Sequence, residues 1–282
     1  MPDNLVPLND QSLSSPENAL VAELSKGKGK KYTKLTMAVL GSLPWVGSFI
    51  NIMASLGGAV FDFADGDQDK INDLQRLWMK EHQEKITLLS FVLKDMFFRL
   101  DSFGEEIQER IESPEYLSLV RSAFRSWDQV ETEEKRQMIK RLITNAGATK
   151  LCPDDLVRLF IKWIDEYHES HFAVIKEIYQ HRGSTRGQIW DRVHTERPRE
   201  DSSEADLFRY LIRDLSTGGV IRIERETTSD GQFLRKTPSP QSRGSLSTVM
   251  ESAFEDSKPY TLTELGEKFI HYVLSDVVTR IE

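Results

Sequence analysis

At 282 residues, 39% hydrophobic and 29% charged, the chain has a globular balance with room for two compact domains. Its 16 glycines and 10 prolines exclude a collagen-like or low-complexity protein. The formal charge of −8, from 37 Lys+Arg against 45 Asp+Glu, excludes a general phosphate-binding protein and leaves room only for a local basic face. One cysteine, Cys152, excludes an internal disulfide framework and a CxxC metal knuckle.

Residues 1–34 read as a flexible tail with a basic end, Lys26-Gly27-Lys28-Gly29-Lys30-Lys31. Asp3, Asp10, Glu17 and Glu23 make its start too acidic for a secretory signal. From Leu35 to Phe61 there is no charged residue in 27 positions, 17 of them apolar. An uncharged run longer than about 18 residues is a transmembrane candidate. Pro44 and Gly47 punctuate this one, and Thr36, Ser42, Ser48, Asn51 and Ser55 dilute its hydropathy. The expected structure is a helical hairpin over 35–63, with helices 35–43 and 47–62 meeting at the Pro44-Trp45-Val46-Gly47 corner. Phe49, Ile52, Met53, Leu56 and Val60 form an apolar stripe on the second helix, and Gly58 lies on a small-residue stripe beside it. Two readings stay open: the buried hairpin of a bundle, packed on the following helix, or a segment that enters a membrane.

Residues 67–103 carry one long amphipathic pattern, with Leu74, Trp78, Leu89, Val92, Leu93, Met96, Phe97 and Leu100 at three- and four-residue steps. Glu81, His82 and Lys85 interrupt it where a bend would fall. Ser113-Pro114 starts a helix, Thr132 caps the next and Gly147 is expected to stop it, and Pro153-Asp154-Asp155 opens another. Residues 35–171 thus form an all-α helical domain.

The pattern changes over 172–282. Ser184-Thr185 begins a short helix, Ser202-Ser203 caps a longer one, and Gly218-Gly219 ends it. Val220–Arg225 alternates as a strand, Ser229-Asp230-Gly231 is a hairpin turn, and Gln232–Lys236 is the expected return strand. Tyr260-Thr261-Leu262 is β-like, and Thr263 caps a last helix. Residues 237–258, with Pro238-Ser239-Pro240 at their start, read as a mobile insertion. The segments LFRYLIRDLSTGGVIRIERE and YTLTELGEKFIHYVL resemble the second half of winged helix-turn-helix domains. The whole plan, with Leu43-Pro44-Trp45-Val46-Gly47 and the helix Glu133–Ala146, resembles Abi-alpha-like bacterial proteins. That resemblance implies a setting in phage resistance. The fold expected is therefore mainly α: an N-terminal helical bundle with an apolar hairpin, then a winged-helix (α+β) domain.

Catalytic motifs are near misses. Asp65-Gly66-Asp67-Gln68-Asp69 starts like a calcium loop, but Lys70 and Arg76 stand where Gly and Glu are required. His168 and His171 share a helical face with Asp165, too few ligands for a metal, and read as a solvated polar face. No P-loop, GxSxG or HExxH is present. No cofactor, no metal and no catalytic residue is expected. Residues 181–243 hold 12 Lys+Arg and 10 Asp+Glu, so any basic footprint must be built by placement. Arg186, Arg209, Arg213, Arg222, Arg225 and Arg235 are the candidate DNA contacts. Pro44, Trp45, Gly47, Phe49, Ile52, Met53, Leu56, Gly58 and Val60 are the hairpin or membrane candidates. The expected function is non-enzymatic: a bacterial defence protein whose winged helix senses nucleic acid or a protein partner and whose 35–61 segment enters membranes conditionally. The alternative is a DNA-binding transcriptional regulator with a helical oligomerisation domain. The expected location is cytoplasmic, with membrane association through 35–61.

Overall fold

In the computed structural model, residues 24, 29–49, 66–149, 152–194, 196–225, 228, 230, 232, 234 and 251–274 are described. They are mainly α-helical, with one two-stranded antiparallel sheet. They divide into two units, one up to Asp165 and one from Glu166 to Tyr272; Val273 and Leu274 group with the first.

The first unit begins earlier than the expected tail allows. A 3-10 turn, Gly29–Tyr32, leads into α1 (Thr33–Leu40). Tyr32 is fully buried, stacks on Phe97 at 4.3 Å and donates its hydroxyl to Asp101 at 2.6 Å. Leu24 is buried as well, so the end of the 1–34 segment is core and not a loose tail.

The hairpin corner also lies elsewhere. The chain breaks at Gly41–Leu43, and residues 44–49 are helical, with Pro44 at the first position, where its missing N–H costs nothing. Gly47 sits inside that helix. Thr36 and Ser42 are buried, but their hydroxyls donate to the carbonyls of Tyr32 and Val39, at 3.0 and 2.6 Å. Returned to the backbone in this way, the polar groups of the run pack as core. Leu35, Val39, Leu40, Leu43, Val46 and Phe49 are all buried. Ile52, Met53, Leu56, Gly58 and Val60 lie outside the described residues. Among the described residues, no helix is long and apolar enough to cross a membrane.

The expected long helix is two, α2 (Gly66–Glu81) and α3 (Gln83–Asp101), meeting at His82. Both the His82 N–H and its Nδ1 turn to the Trp78 carbonyl at 3.0 Å, and the imidazole stacks against both Trp45 and Trp78, which also stack on each other. Phe49 stacks on Trp78 at 4.0 Å. Four more helices follow: α4 (Gln108–Glu112), α5 (Pro114–Gln129), α6 (Glu133–Ala148) and α7 (Asp154–Glu166). Ser113 caps α5 and Thr132 caps α6, each accepting a backbone N–H from inside the first turn. Gly147 does not stop α6. It lies within the helix because a Cβ there would come within 2.6 Å of the Tyr116 hydroxyl, which donates to the Ile143 carbonyl at 3.0 Å.

The second unit contains α8 (Glu169–Gln180), α9 (Arg186–Val193), α10 (Ser203–Thr217), β1 (Ile221–Ile223), β2 (Tyr260–Leu262) and α11 (Glu264–Leu274). Thr185 and Gln188 form a capping box on α9, and Ser202 caps α10. Gly218 ends α10, and Gly219 takes the left-handed φ of +74° that turns the chain into β1. β1 pairs with β2, Ile221 opposite Leu262 and Ile223 opposite Tyr260. Of the return strand expected over 232–236, residues 233, 235 and 236 lie outside the described residues. Gln232 and Leu234 carry no strand, although the Thr228 N–H donates to the Gln232 carbonyl at 2.8 Å across the expected turn. An isolated bridge, Ser184 to Tyr260, extends the pairing on the other side of β2.

The expected mobile insertion is packed at its end. Ala253 and Phe254 are buried, and Phe254 stands edge-on to Trp190 at 5.1 Å and stacks on Phe208 at 6.1 Å. Residues 237–250 lie outside the described set. His171 is not on a solvated face. It is buried, its Nδ1 accepts the His168 N–H at 3.1 Å, and its Nε2 lies 3.3 Å from Asp214.

Candidate nucleic-acid interface

The burial of α10 sets which of its side chains face outward. Phe208, Leu211, Ile212 and Leu215 turn into the core. Arg209 and Arg213, one turn apart, leave by the face that Ser216 and Thr217 continue. In β1 the period of two buries Ile221 and exposes Arg222. Arg225 follows just beyond the strand, exposed. At the first position of α9, Arg186 donates Nε–H to the Tyr260 hydroxyl at 3.0 Å and lays its guanidinium over that ring.

Those placements bring Arg186, Arg209, Arg213, Arg222 and Arg225 around one open cleft of about 600 Å³. Its floor is apolar, with Ile212, Ile221 and Ile223. Among the described residues that line it there is no carboxylate. Five of the six arginines singled out from the sequence thus share one site; the sixth, Arg235, lies outside the described residues. Arg213 and Arg225 make no ion pair among the described residues. Arg209 and Arg186 are held from behind. Arg209 pairs with Glu200 at 2.5 Å and with Asp206 at 2.8 Å, and Arg186 with Glu251 at 3.2 Å. Burial pushes the Glu200 carboxyl upward, but the Ala253 N–H, the Ser252 hydroxyl and Arg209 together hold it below the usual carboxylate range.

Sequence reasoning missed Tyr260, Glu200 and Glu251. The first braces Arg186 and the other two are counter-ions. Tyr260 and Glu251 are far from Arg186 along the chain, so no local pattern marks them. The acidic residues of α10 do not enter the cleft: Asp206 pairs with Arg209 within its own helix, and Asp214 faces His171.

The arrangement suits an extended polyanion. Guanidinium groups recognise phosphate oxygens through paired N–H donors, and an open cleft accepts a backbone that enters and leaves. Among the described residues, no group of His, Cys, Asp and Glu is arranged to hold a metal ion. Comparison with family models, with curated proteins and with solved structures returns no match for this chain.

Proposed function

We propose that the second unit is a winged-helix module that binds nucleic acid through its phosphates, and that the protein acts by binding rather than by catalysis. The observation that carries this reading is the convergence of five arginines, from α9, α10, β1 and the residue run after it, on one cleft lined by no carboxylate among the described residues. The order helix, bridge residue, helix, helix, strand, strand, helix supports the winged-helix assignment. The defence setting is proposed on the sequence resemblance alone.

Fluorescence anisotropy with a labelled duplex and the full-length protein tests the reading. Binding governed by phosphate neutralisation falls linearly in log K against log salt, with a slope of about −0.9 per phosphate neutralised. Three to five engaged arginines therefore give a slope of about −3 to −5. Arg213→Glu with Arg225→Glu is expected to cut affinity by about tenfold or more at low salt. Both side chains are exposed, so the fold is not at risk. Absence of binding at low salt would overturn the proposal in favour of a protein contact.

A further inference from the structure

The outward side of α2 and α3 carries one continuous stripe. Lys80, Glu84, Thr87, Phe91, Lys94 and Phe98 follow one another at steps of four and three, and all six are exposed. The helical phase runs through the junction between the two helices: the His82 N–H donates to the Trp78 carbonyl and the Ile86 N–H to the His82 carbonyl. Phe91 is 67% and Phe98 71% exposed, on a helix whose opposite face is buried. Large apolar side chains grouped in this way on a surface mark a contact site. Lys80, Glu84 and Lys94 make no ion pair among the described residues.

Beside the stripe runs a groove of about 420 Å³, whose apolar lining is Leu24, Met79, Ile86 and the rim residue Phe91. It consists of two successive holes with the i, i+3, i+4, i+7 spacing that receives one side chain of a facing helix. Arg76, Met79, Lys80 and Gln83 make the first, and Gln83, Ile86, Thr87 and Ser90 the second. The holes are offset by one heptad, and so are Phe91 and Phe98, about 10.5 Å along the axis. The same surface therefore offers two knobs and two holes at one spacing.

The charges select what fills the holes. Laid antiparallel on a second copy with Thr87 opposite Phe91, the stripe sets Glu84 opposite Lys94, Lys94 opposite Glu84, and Lys80 opposite the ring of Phe98. In that same register each Phe91 stands over the second hole of the other copy and each Phe98 over its first. The charge register and the hole register rest on different residues, and they coincide. A parallel alignment would instead set Glu84 against Glu84 and Lys94 against Lys94.

We infer that α2 and α3 form a self-association surface on which a second copy of this chain docks antiparallel, with Phe91 and Phe98 seated in the groove and Glu84 paired with Lys94 in both directions. The inference does not depend on nucleic-acid binding, because every residue of the stripe and the groove belongs to the first unit.

Sedimentation equilibrium of the full-length protein tests it. One helix pair is a small interface, so a reversible dimer that dissociates at about 1–100 µM is expected. Phe91→Ser with Phe98→Ser removes both knobs at exposed positions and is expected to leave a monomer up to about 300 µM. Glu84→Lys alone and Lys94→Glu alone each set like charges face to face twice, and each is expected to weaken the dimer about tenfold or more. Combining the two exchanges in one chain is expected to restore the dimer to within about threefold of the wild type. An equimolar mixture of the two single variants is expected to form the heterodimer for the same reason. Circular dichroism of each variant confirms that the fold is retained. The inference fails if the wild type is monomeric up to about 300 µM. It also fails if the double phenylalanine variant dimerises as the wild type does, or if neither the exchanged chain nor the mixture associates more tightly than the single variants.

Discussion

The Glu200 carboxylate ties Arg209 of the arginine cleft to Ser252 and Ala253. One of its oxygens holds the guanidinium at 2.5 Å and accepts the Ala253 N–H at 2.9 Å, while the Ser252 hydroxyl donates to the other. Arg209 is therefore partly neutralised within the protein, and any phosphate must compete for it. An exposed ion pair of this kind is worth roughly 0.2–1 kcal/mol. Glu200→Gln keeps an acceptor for the Ala253 N–H in its amide oxygen, turns its NH2 to the Ser252 hydroxyl, and removes the charge. Duplex affinity is expected to rise by about two- to fivefold, with a steeper salt dependence. Unchanged or weaker binding would show that Arg209 takes no part.

The contact between Tyr116 and Gly147 gives a second expectation. The tyrosine is fully buried, burial pushes its hydroxyl pKa far upward, and its proton goes to the Ile143 carbonyl. A methyl group at 147 would overlap the phenol oxygen and the ring carbon that bears it. Gly147→Ala is expected to destabilise the first unit by about 1–3 kcal/mol, measured as a shift in urea midpoint at constant m. In a Tyr116→Phe background the same change is expected to cost less, because part of the overlap is gone. Equal costs in both backgrounds would place the strain elsewhere.

His171 gives a pH dependence whose sign follows from its surroundings. Its Nδ1 accepts a backbone N–H, so the folded ring is neutral. Burial lowers its pKa from the ordinary 6.5, and Asp214 opposes that shift without reversing it. The unfolded chain therefore gains a proton at higher pH than the folded one. The stability this histidine contributes is complete above about pH 6.5 and is lost as pH falls from there toward the folded pKa. Urea midpoints between pH 8 and pH 5 should fall more steeply for the wild type than for His171→Gln. Parallel profiles would contradict the neutral buried ring.

What the sequence revealed was local. Ser113, Thr132, Thr185 and Ser202 announce helix starts because a capping hydroxyl acts on N–H groups two or three residues away. Arg209 and Arg213 share a face because they are four apart on a helix. The features that stayed hidden are settled by packing across long separations. β1 looked destined for a hairpin partner ten residues on, and the pairing described for it is with Tyr260–Leu262, far along the chain. Gly147 looked like a stop and is room for Tyr116. His171 looked solvated from its polar neighbours, yet it is buried against Tyr167 and against Asp214 of α10, and no helical period reaches the latter.

The last expectation concerns the uncharged run. Its described half is built into the first unit: Trp45 donates its indole N–H to Asp128 at 3.1 Å, and Lys34 pairs with Glu112 at 2.5 Å. Leu35, Val39, Leu40, Leu43, Val46 and Phe49 are buried there. At about 1.5–3 kcal/mol for each buried side chain, withdrawing the six forfeits about 9–18 kcal/mol. That matches or exceeds the entire stability of a typical domain, about 5–15 kcal/mol. In a bilayer the same side chains are again out of water, so the cost that remains is the core they leave empty, and entry of this half is expected to go with unfolding of the unit. Anionic vesicles in a flotation assay should carry no native protein at neutral pH. Across a urea series, co-flotation should rise only where the near-ultraviolet circular dichroism of the first unit's tryptophans is lost. Vesicle-bound protein with that native signal intact would show that the segment leaves the core while the rest stays folded, and the packing described for Leu43, Val46 and Phe49 would then be one of two stable arrangements.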